Sequence, residues 1–404
     1  MAGPLVALPR DYPRARTGRE GHPSSTPCVS HSLKRPRLVA AVVLTSIIAC
    51  GDSPDSAGEP GASMDQSPPP AEWSFTRVDS AATGTISFVP SREVQLGEGK
   101  AASSANISRV IATGEGFFVI EGGAPAVVHY DRKGRHRFTI AIAPGKAGKL
   151  KTPRALAYRG DTLFVLDLDY RRGIAMFDGV GAHIGTIDLQ VGSSAFDLSA
   201  SPTSLAIATI AQDAEIRDGA ATMLWFVSAG RAVLDGKCAP DPIYQRSLEQ
   251  RGFFELFRAV GVSSFGGRTY CRQPVSPVVQ VFSDDGAPME SIRLAPPFYV
   301  RGPDAPQSMN QLMVDRFSAT WTEHRNFFPF QDGFVSVYSN FDTLTSTRRY
   351  RLFRCAGVSG PDPRCAVGSI TDVPLDFLAP DTLLVLRATE DPLAPPRLAL
   401  LHLR

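Results

Sequence analysis

"VVHYDRKGRHRFTI" (Val127–Ile140) and "GIAMFDGVGAHIGTIDL" (Gly173–Leu189) are built on one plan. An apolar strand ends on an aromatic residue, Asp and Gly supply a turn, and a second strand follows. "MLWFVSAGRAVL" (Met223–Leu234) and "VVQVFSDDGAPMESIRL" (Val278–Leu294) repeat the plan. "RRYRLFRCAG" (Arg348–Gly357) gives a fifth copy and "RLALLHL" (Arg397–Leu403) a sixth. The residues marking the end of the apolar strand are Tyr130, Phe177, Phe226, Phe282, Phe353 and Leu401, spaced 47, 49, 56, 71 and 48 residues apart. A β repeat near this length, with four strands per unit, is the size of a propeller blade. The expectation is an all-β, six-bladed β-propeller over residues 73–404.

The surrounding sequence fits that plan. "GFFVIEG" (Gly116–Gly122), "DTLFVLDLD" (Asp161–Asp169) and "GFVSVYSN" (Gly333–Asn340) are rich in β-branched and aromatic residues and are bounded by turn formers. Runs such as "LFVL" predict strands covered on both faces. Only three residues follow Leu401, so the sixth blade lacks an outer strand. An open edge invites aggregation, and "TISFVP" (Thr85–Pro90) or "REVQLGEG" (Arg92–Gly99) is expected to pair there and close the ring. The two wider intervals hold segments with helical spacing, Tyr244–Val262 (Leu248, Leu256, Val260) and Met309–Trp321 (Leu312, Met313, Phe317, Trp321). These predict short helical insertions between blades.

Val127–Gly181 as a whole resembles the bacterial six-bladed β-propellers related to NHL-repeat and TolB-like proteins. Pro153, Gly160-Asp161 and Asp167 keep the places that family gives them. Pro144-Gly145-Lys146 stands where the family has a Gly-Pro-Gly-Glu loop. The resemblance covers about 107–190 and 330–404 and is weak between 200 and 330. It implies a fold more than an activity, since many such members are exported lipoproteins of unassigned function.

The N-terminal region suggests an address. Lys34-Arg35-Pro36-Arg37 precedes the apolar run Leu38–Ala49, which is too short to span a bilayer as a helix. That order reads as an export signal over residues 1–49. Ile47-Ile48-Ala49-Cys50 resembles a bacterial lipobox, which implies lipid attachment at Cys50 and residence at the extracytoplasmic face of a bacterial envelope membrane. Residues 50–72, rich in Gly, Asp, Ser and Pro, read as a flexible tether. Met1–Ser32 is Arg- and Pro-rich without a core pattern, and a start of translation near Val29 or Leu33 would omit it.

The 404-residue chain has a formal net charge of +2, with 43% apolar and 20% charged residues. Seven basic and two acidic residues precede Cys50, which leaves 35 basic against 38 acidic residues in the remainder. That balance gives a nucleic-acid partner no electrostatic support. Cys28 falls in the leader and Cys50 at the anchor. Cys238, Cys271, Cys355 and Cys365 read as two disulfides in an oxidising compartment. Sequence proximity favours Cys238–Cys271 and Cys355–Cys365 among three connectivities. A zinc site is disfavoured because no C-x-x-C pair is present.

No catalytic motif emerges. His129, His136, His183, His324 and His402 lack metal-ligand spacing, and His129 and His183, beside turns, read as solvated. "GVSSFGG" from Gly261 carries Phe265 where a nucleophile elbow requires Gly. Phosphate loops and dinucleotide fingerprints are also missing. "DLDYRR" (Asp167–Arg172) is the most polar cluster on an apolar strand, and Asp167, Asp169, Arg171 and Arg172 are the weak candidates for a rim ligand site. A structural turn is the favoured reading of that cluster. Trp321, Phe327, Phe328 and Phe330 read as core packing before ligand surface. No cofactor is implied. The leading expectation is a lipid-anchored binding or scaffold propeller contacting an envelope protein or small ligand. The alternative is a hydrolase or lactonase with a cation in the channel, which three or more convergent carboxylates or amides would favour. A non-propeller all-β protein is the weakest reading.

Overall fold

The computed structural model describes residues 74–78, 84–97, 107–121, 126–140, 150, 152–167, 173–189, 194–210, 224–228, 231–236, 260–274, 276–294, 296–300, 322–342, 347–360, 363–378, 381–387 and 395–404. Three strands come first: β1 (Ser74–Val78), β2 (Gly84–Thr85) and β3 (Phe88–Gln95). Six antiparallel blades then follow in chain order. The first is β4 (Ile107–Ala112), β5 (Gly116–Glu121), β6 (Ala126–Asp131) and β7 (His136–Ile140). The second is β8 (Pro153–Arg159), β9 (Thr162–Asp167), β10 (Gly173–Asp178) and β11 (His183–Asp188). The third is β12 (Ser194–Ala200), β13 (Ser204–Ile210), β14 (Leu224–Ser228) and β15 (Arg231–Gly236). The fourth comprises β16 (Gly261–Phe265), β17 (Arg268–Arg272), β18 (Val278–Ser283) and β19 (Pro288–Leu294). The fifth comprises β20 (Glu323–Phe330), β21 (Gly333–Asp342), β22 (Thr347–Ala356) and β23 (Arg364–Ile370). The sixth has three strands of its own, β24 (Val373–Leu378), β25 (Thr382–Leu386) and β26 (Arg397–Leu403). The chain is an all-β six-bladed propeller.

All six marker residues fall on the third strand of their blade, and all six are buried: Tyr130, Phe177, Phe226, Phe282, Phe353 and Leu401. Second strands other than β17 are buried along most of their length, as "LFVL" predicts, with Leu163 to Leu166 all buried. The apolar clusters lie between blades. One joins Phe118 and Val127 of the first blade to Leu156 and Phe177 of the second. Another joins Val279 of the fourth to Phe334 and Phe353 of the fifth. Packing of this kind is the main favourable contribution to the ring.

The expected closure is present. β3 pairs antiparallel with β26, from Phe88↔Leu403 to Gln95↔Arg397, and supplies the outer strand of the sixth blade. It takes residues from both candidate segments. β1 and β2 add to this, pairing in parallel with β19 and β23 on the outer edges of the fourth and fifth blades. The N-terminal strands thus cover the edges of three successive blades, where the sequence indicated one.

The Asp–Gly turns also follow the sequence. The Asp131 carboxylate accepts hydrogen bonds from Lys133 N (2.8 Å) and Arg135 N (3.0 Å), and Asp178 does the same for Val180 N and Ala182 N. The fourth turn residue is left-handed, Gly134 at φ 80° and Gly181 at φ 85°, where only glycine sits without strain.

No helix occurs among the described residues. The expected insertion Met309–Trp321 lies outside them, as does most of Tyr244–Val262. The last residues of that second segment depart from the helical expectation, because Gly261 and Val262 begin β16. Cys355 and Cys365 face each other across β22 and β23 and form a disulfide. Cys271 is disulfide-bonded, while Cys238 and Cys50 lie outside the described residues.

Candidate functional site

The first strands β4, β8, β12, β16, β20 and β24 form the inner wall, each next to the first strand of the following blade. Five of them carry a β-bulge. The unpaired residue is Ser108 in β4, Arg154 in β8, Phe196 in β12, Arg325 in β20 and Leu375 in β24. A bulge re-aims the side chains beyond it. The residues that follow are Arg109, Ala155, Asp197, Asn326 and Asp376, four of them polar.

These polar side chains connect blade to blade. Asp197 Oδ2 accepts from Val262 N on β16 (3.2 Å), and Asp376 Oδ2 accepts from Ala112 N on β4 (3.3 Å). Asn326 Nδ2 donates to Pro374 O on β24 (3.4 Å). Arg109 Nη2 reaches Asp197 Oδ1 at 2.7 Å, although β8 stands between their strands. β8 carries only Ala155 at the equivalent register, which leaves room for the guanidinium. β16 has no bulge, and its position is filled from β17: Arg272 lies across Gly261, where a Cβ would collide with the guanidinium. Arg272 Nη1 donates to His324 O at 2.7 Å.

Arg109, Asp197, Arg272, Asn326 and Asp376 line one cavity of about 280 Å³, to which all six inner strands contribute. Ile111, Tyr158, Phe265, Phe328 and Phe377 supply an apolar and aromatic part of its wall. Burial raises the Asp376 pKa to about 6, against the lowering effect of hydrogen bonds from Phe377 N and Ala112 N. Burial lowers that of Arg272 to about 10, so it remains a cation at neutral pH.

A second polar cluster flanks this wall on the fifth blade. Glu323 pairs with Arg325 (2.8 Å) and Arg348 (3.0 Å), and burial pushes its carboxyl upward against the pull of Arg325. His324 is fully buried, shares a 2.7 Å hydrogen bond with Ser336 Oγ and stacks on Tyr338. Burial holds it well below the usual histidine pKa, hence neutral.

The residues singled out in the sequence lie elsewhere. Asp167 is fully buried at the end of β9, and its Oδ1 accepts from Thr152 N at 3.0 Å. Asp169, Arg171 and Arg172 fall outside the described residues. His129 is not solvated: it is buried, sandwiched by Phe118 (4.4 Å) and Phe138 (4.9 Å). His183 is exposed. Phe327 and Phe330 are core, Phe328 is half-buried, and Phe327 and Phe328 both line the cavity; Trp321 is outside the described residues.

Two carboxylates and an amide converge on the cavity, the number set for a channel cation. The donor set does not suit one, because Arg109 and Arg272 place two positive charges among them. Among the described residues, no group of three or more His, Cys, Asp or Glu is placed to hold a metal ion.

No protein-family model matches the chain, and no curated protein matches it in sequence. Among solved structures, it is similar to a member of the DUF4221 family from Bacteroides vulgatus, with a TM-score of 0.52 and 8% identity, over 80% of this chain and 99% of that one. U3-55K is less similar, with a TM-score of 0.43 and 10% identity over 79% of this chain and 99% of that one. Glutaminyl cyclase of Myxococcus xanthus gives a TM-score of 0.34 and 11% identity over 82% of this chain and 100% of its own. At 8% identity the likeness to the DUF4221 member is one of fold, and it agrees with the six-bladed propeller reached from the sequence repeat.

Proposed function

We propose that the protein is a lipid-anchored, extracytoplasmic propeller that binds a small ligand in its axial cavity. The observation that carries the binding reading is the cavity itself, with polar groups from five blades beside an aromatic wall. A concave site in which convergent polar groups face an aromatic wall is a ligand-pocket arrangement. The rigid blades hold those groups in place before a ligand arrives. The anchor reading rests on the basic segment, the short apolar run and Cys50.

The two halves have separate tests. Cys50→Ala is expected to move the protein from the membrane fraction to the soluble fraction, and retention of the variant in the membrane would refute the anchor. For the cavity, native mass spectrometry of the protein isolated from its host is expected to show a retained small molecule. Ser199→Trp, which fills the cavity from β12, is expected to lose it. Equal retention by both proteins would place binding elsewhere.

A further inference from the structure

We infer that the ligand of the axial cavity is a small organic carboxylate with an aromatic or apolar body, its carboxylate held by Arg272. This deepens the binding reading and rests on it. The first ground is charge. Arg272 lines the cavity and makes no ion pair among the described residues; its one described hydrogen bond runs from Nη1 to the His324 carbonyl. Both carboxylates of the cavity are otherwise engaged. Asp197 accepts from Arg109, Leu198 N and Val262 N, while Asp376 accepts from Ala112 N and Phe377 N. Asp197 and Glu323 act on the Arg272 charge from beyond ion-pair distance, so the guanidinium has no carboxylate in direct contact, and its fork matches one.

The second ground is the way the chain makes room for this side chain. Arg272 comes from the second strand of its blade, the one position where the inner strand has no bulge. Gly261 opposite it is the residue that lets the guanidinium lie over the inner strand toward the axis. The third ground is the wall. Phe265, Phe328, Phe377 and Tyr158 line the same cavity, and the Phe328 and Phe377 rings stack at 6.2 Å. These surfaces match an apolar body and disfavour a bare inorganic anion.

Calorimetry of the full chain with phenylacetate, 2-phenylacetamide and acetate tests the inference. Phenylacetate is expected to bind at least about tenfold more tightly than either of the others. Arg272→Gln is expected to remove the preference for phenylacetate over the amide. Arg272→Lys, which keeps the charge, and Gly261→Ala, which displaces the guanidinium, should weaken phenylacetate while leaving the amide unchanged. Unaltered circular dichroism melting of the lysine variant separates this loss from unfolding. Binding of the amide as tight as that of phenylacetate would overturn the carboxylate inference and leave the cavity as a binding site. Acetate binding as tightly as phenylacetate would overturn the apolar body. No binding of any probe to a protein first freed of its native small molecule by exhaustive dialysis, and able to take that molecule up again, would overturn the carboxylate class alone. No binding to a protein that carries none would overturn the cavity as well.

Discussion

The third strand and the first strand of each blade do opposite work with similar residues. Third strands repeat one apolar answer six times, from Tyr130 to Leu401, and bury it between blades. First strands vary at the position after their bulge: Arg109, Ala155, Asp197, Asn326 and Asp376. Two aspartates condense the contrast. Asp131 sits in the turn after a third strand. Burial works to raise its pKa, but N–H groups of Arg135 and Lys133 and the Arg135 guanidinium outweigh it and hold the carboxyl low. Asp376 follows a first-strand bulge, and there burial wins, raising the pKa to about 6. The Asp131 turn, which only needs to hold shape, satisfies its carboxylate fully; on the inner wall, Asp376 is held in surroundings that disfavour its charge. Perturbed groups gathered in a cavity are where ligand recognition concentrates.

The largest expected effect breaks the repeat itself. Phe353→Ala removes a fully buried ring from the contact between the fourth and fifth blades. It should cost about 3–5 kcal/mol in denaturant melts. Replacing Cys355 and Cys365 with Ala releases a constraint across a separation of 10 residues. It should cost about 2–3 kcal/mol by the same measurement. Asp197→Ala tests the inner wall. It leaves Arg109 and Val262 N without their partner, and a loss of about 2 kcal/mol is expected. A loss matching that of Phe353→Ala would show the wall to be as structural as the blade contacts.

An effect of similar size separates the two aspartates by pH. A raised folded-state pKa means the native protein binds the Asp376 proton more tightly than the unfolded chain does. Its contribution is therefore present at acidic pH and lost as pH rises from about 4 through about 6. Relative to Asp376→Asn, the wild type should lose about 2 kcal/mol between pH 4 and pH 7 in parallel melts. The lowered pKa of Asp131 works the other way, with stability lost as pH falls through its folded value. The same sign for both would dissolve the contrast. Arg135→Ala gives the smallest change. Its ion pair with Asp131 lies on an exposed side chain, and a shift under about 0.5 kcal/mol is expected.

How much was legible in the sequence follows the same division. The third-strand markers recur at three intervals of 47–49 residues and two longer ones of 56 and 71, because every blade needs the same core contact, so blade number and the β3 closure could be read directly. β1 and β2 were not read, since two short edge strands leave no periodic trace. The cavity residues were missed for a physical reason. A bulge breaks the period of two, so "AFDL" around Asp197 and "PLDF" around Asp376 look like interrupted strands rather than a shared feature. The available signal was an aspartate flanked by apolar residues in the first strands of the third and sixth repeats, Phe196-Asp197-Leu198 and Leu375-Asp376-Phe377. Arg272 offered less, because its role depends on a glycine in the neighbouring strand. His129 was misjudged as solvated because proximity to a turn says nothing about the aromatic rings of adjacent strands that enclose it.

The most direct test is crystallographic. Crystals of the protein soaked with phenylacetate are expected to show difference density in the axial cavity, with the carboxylate against Arg272 and the ring beside Phe328 and Phe377. Density only outside the cavity, or an occupied cavity with the carboxylate turned away from Arg272, would contradict the account.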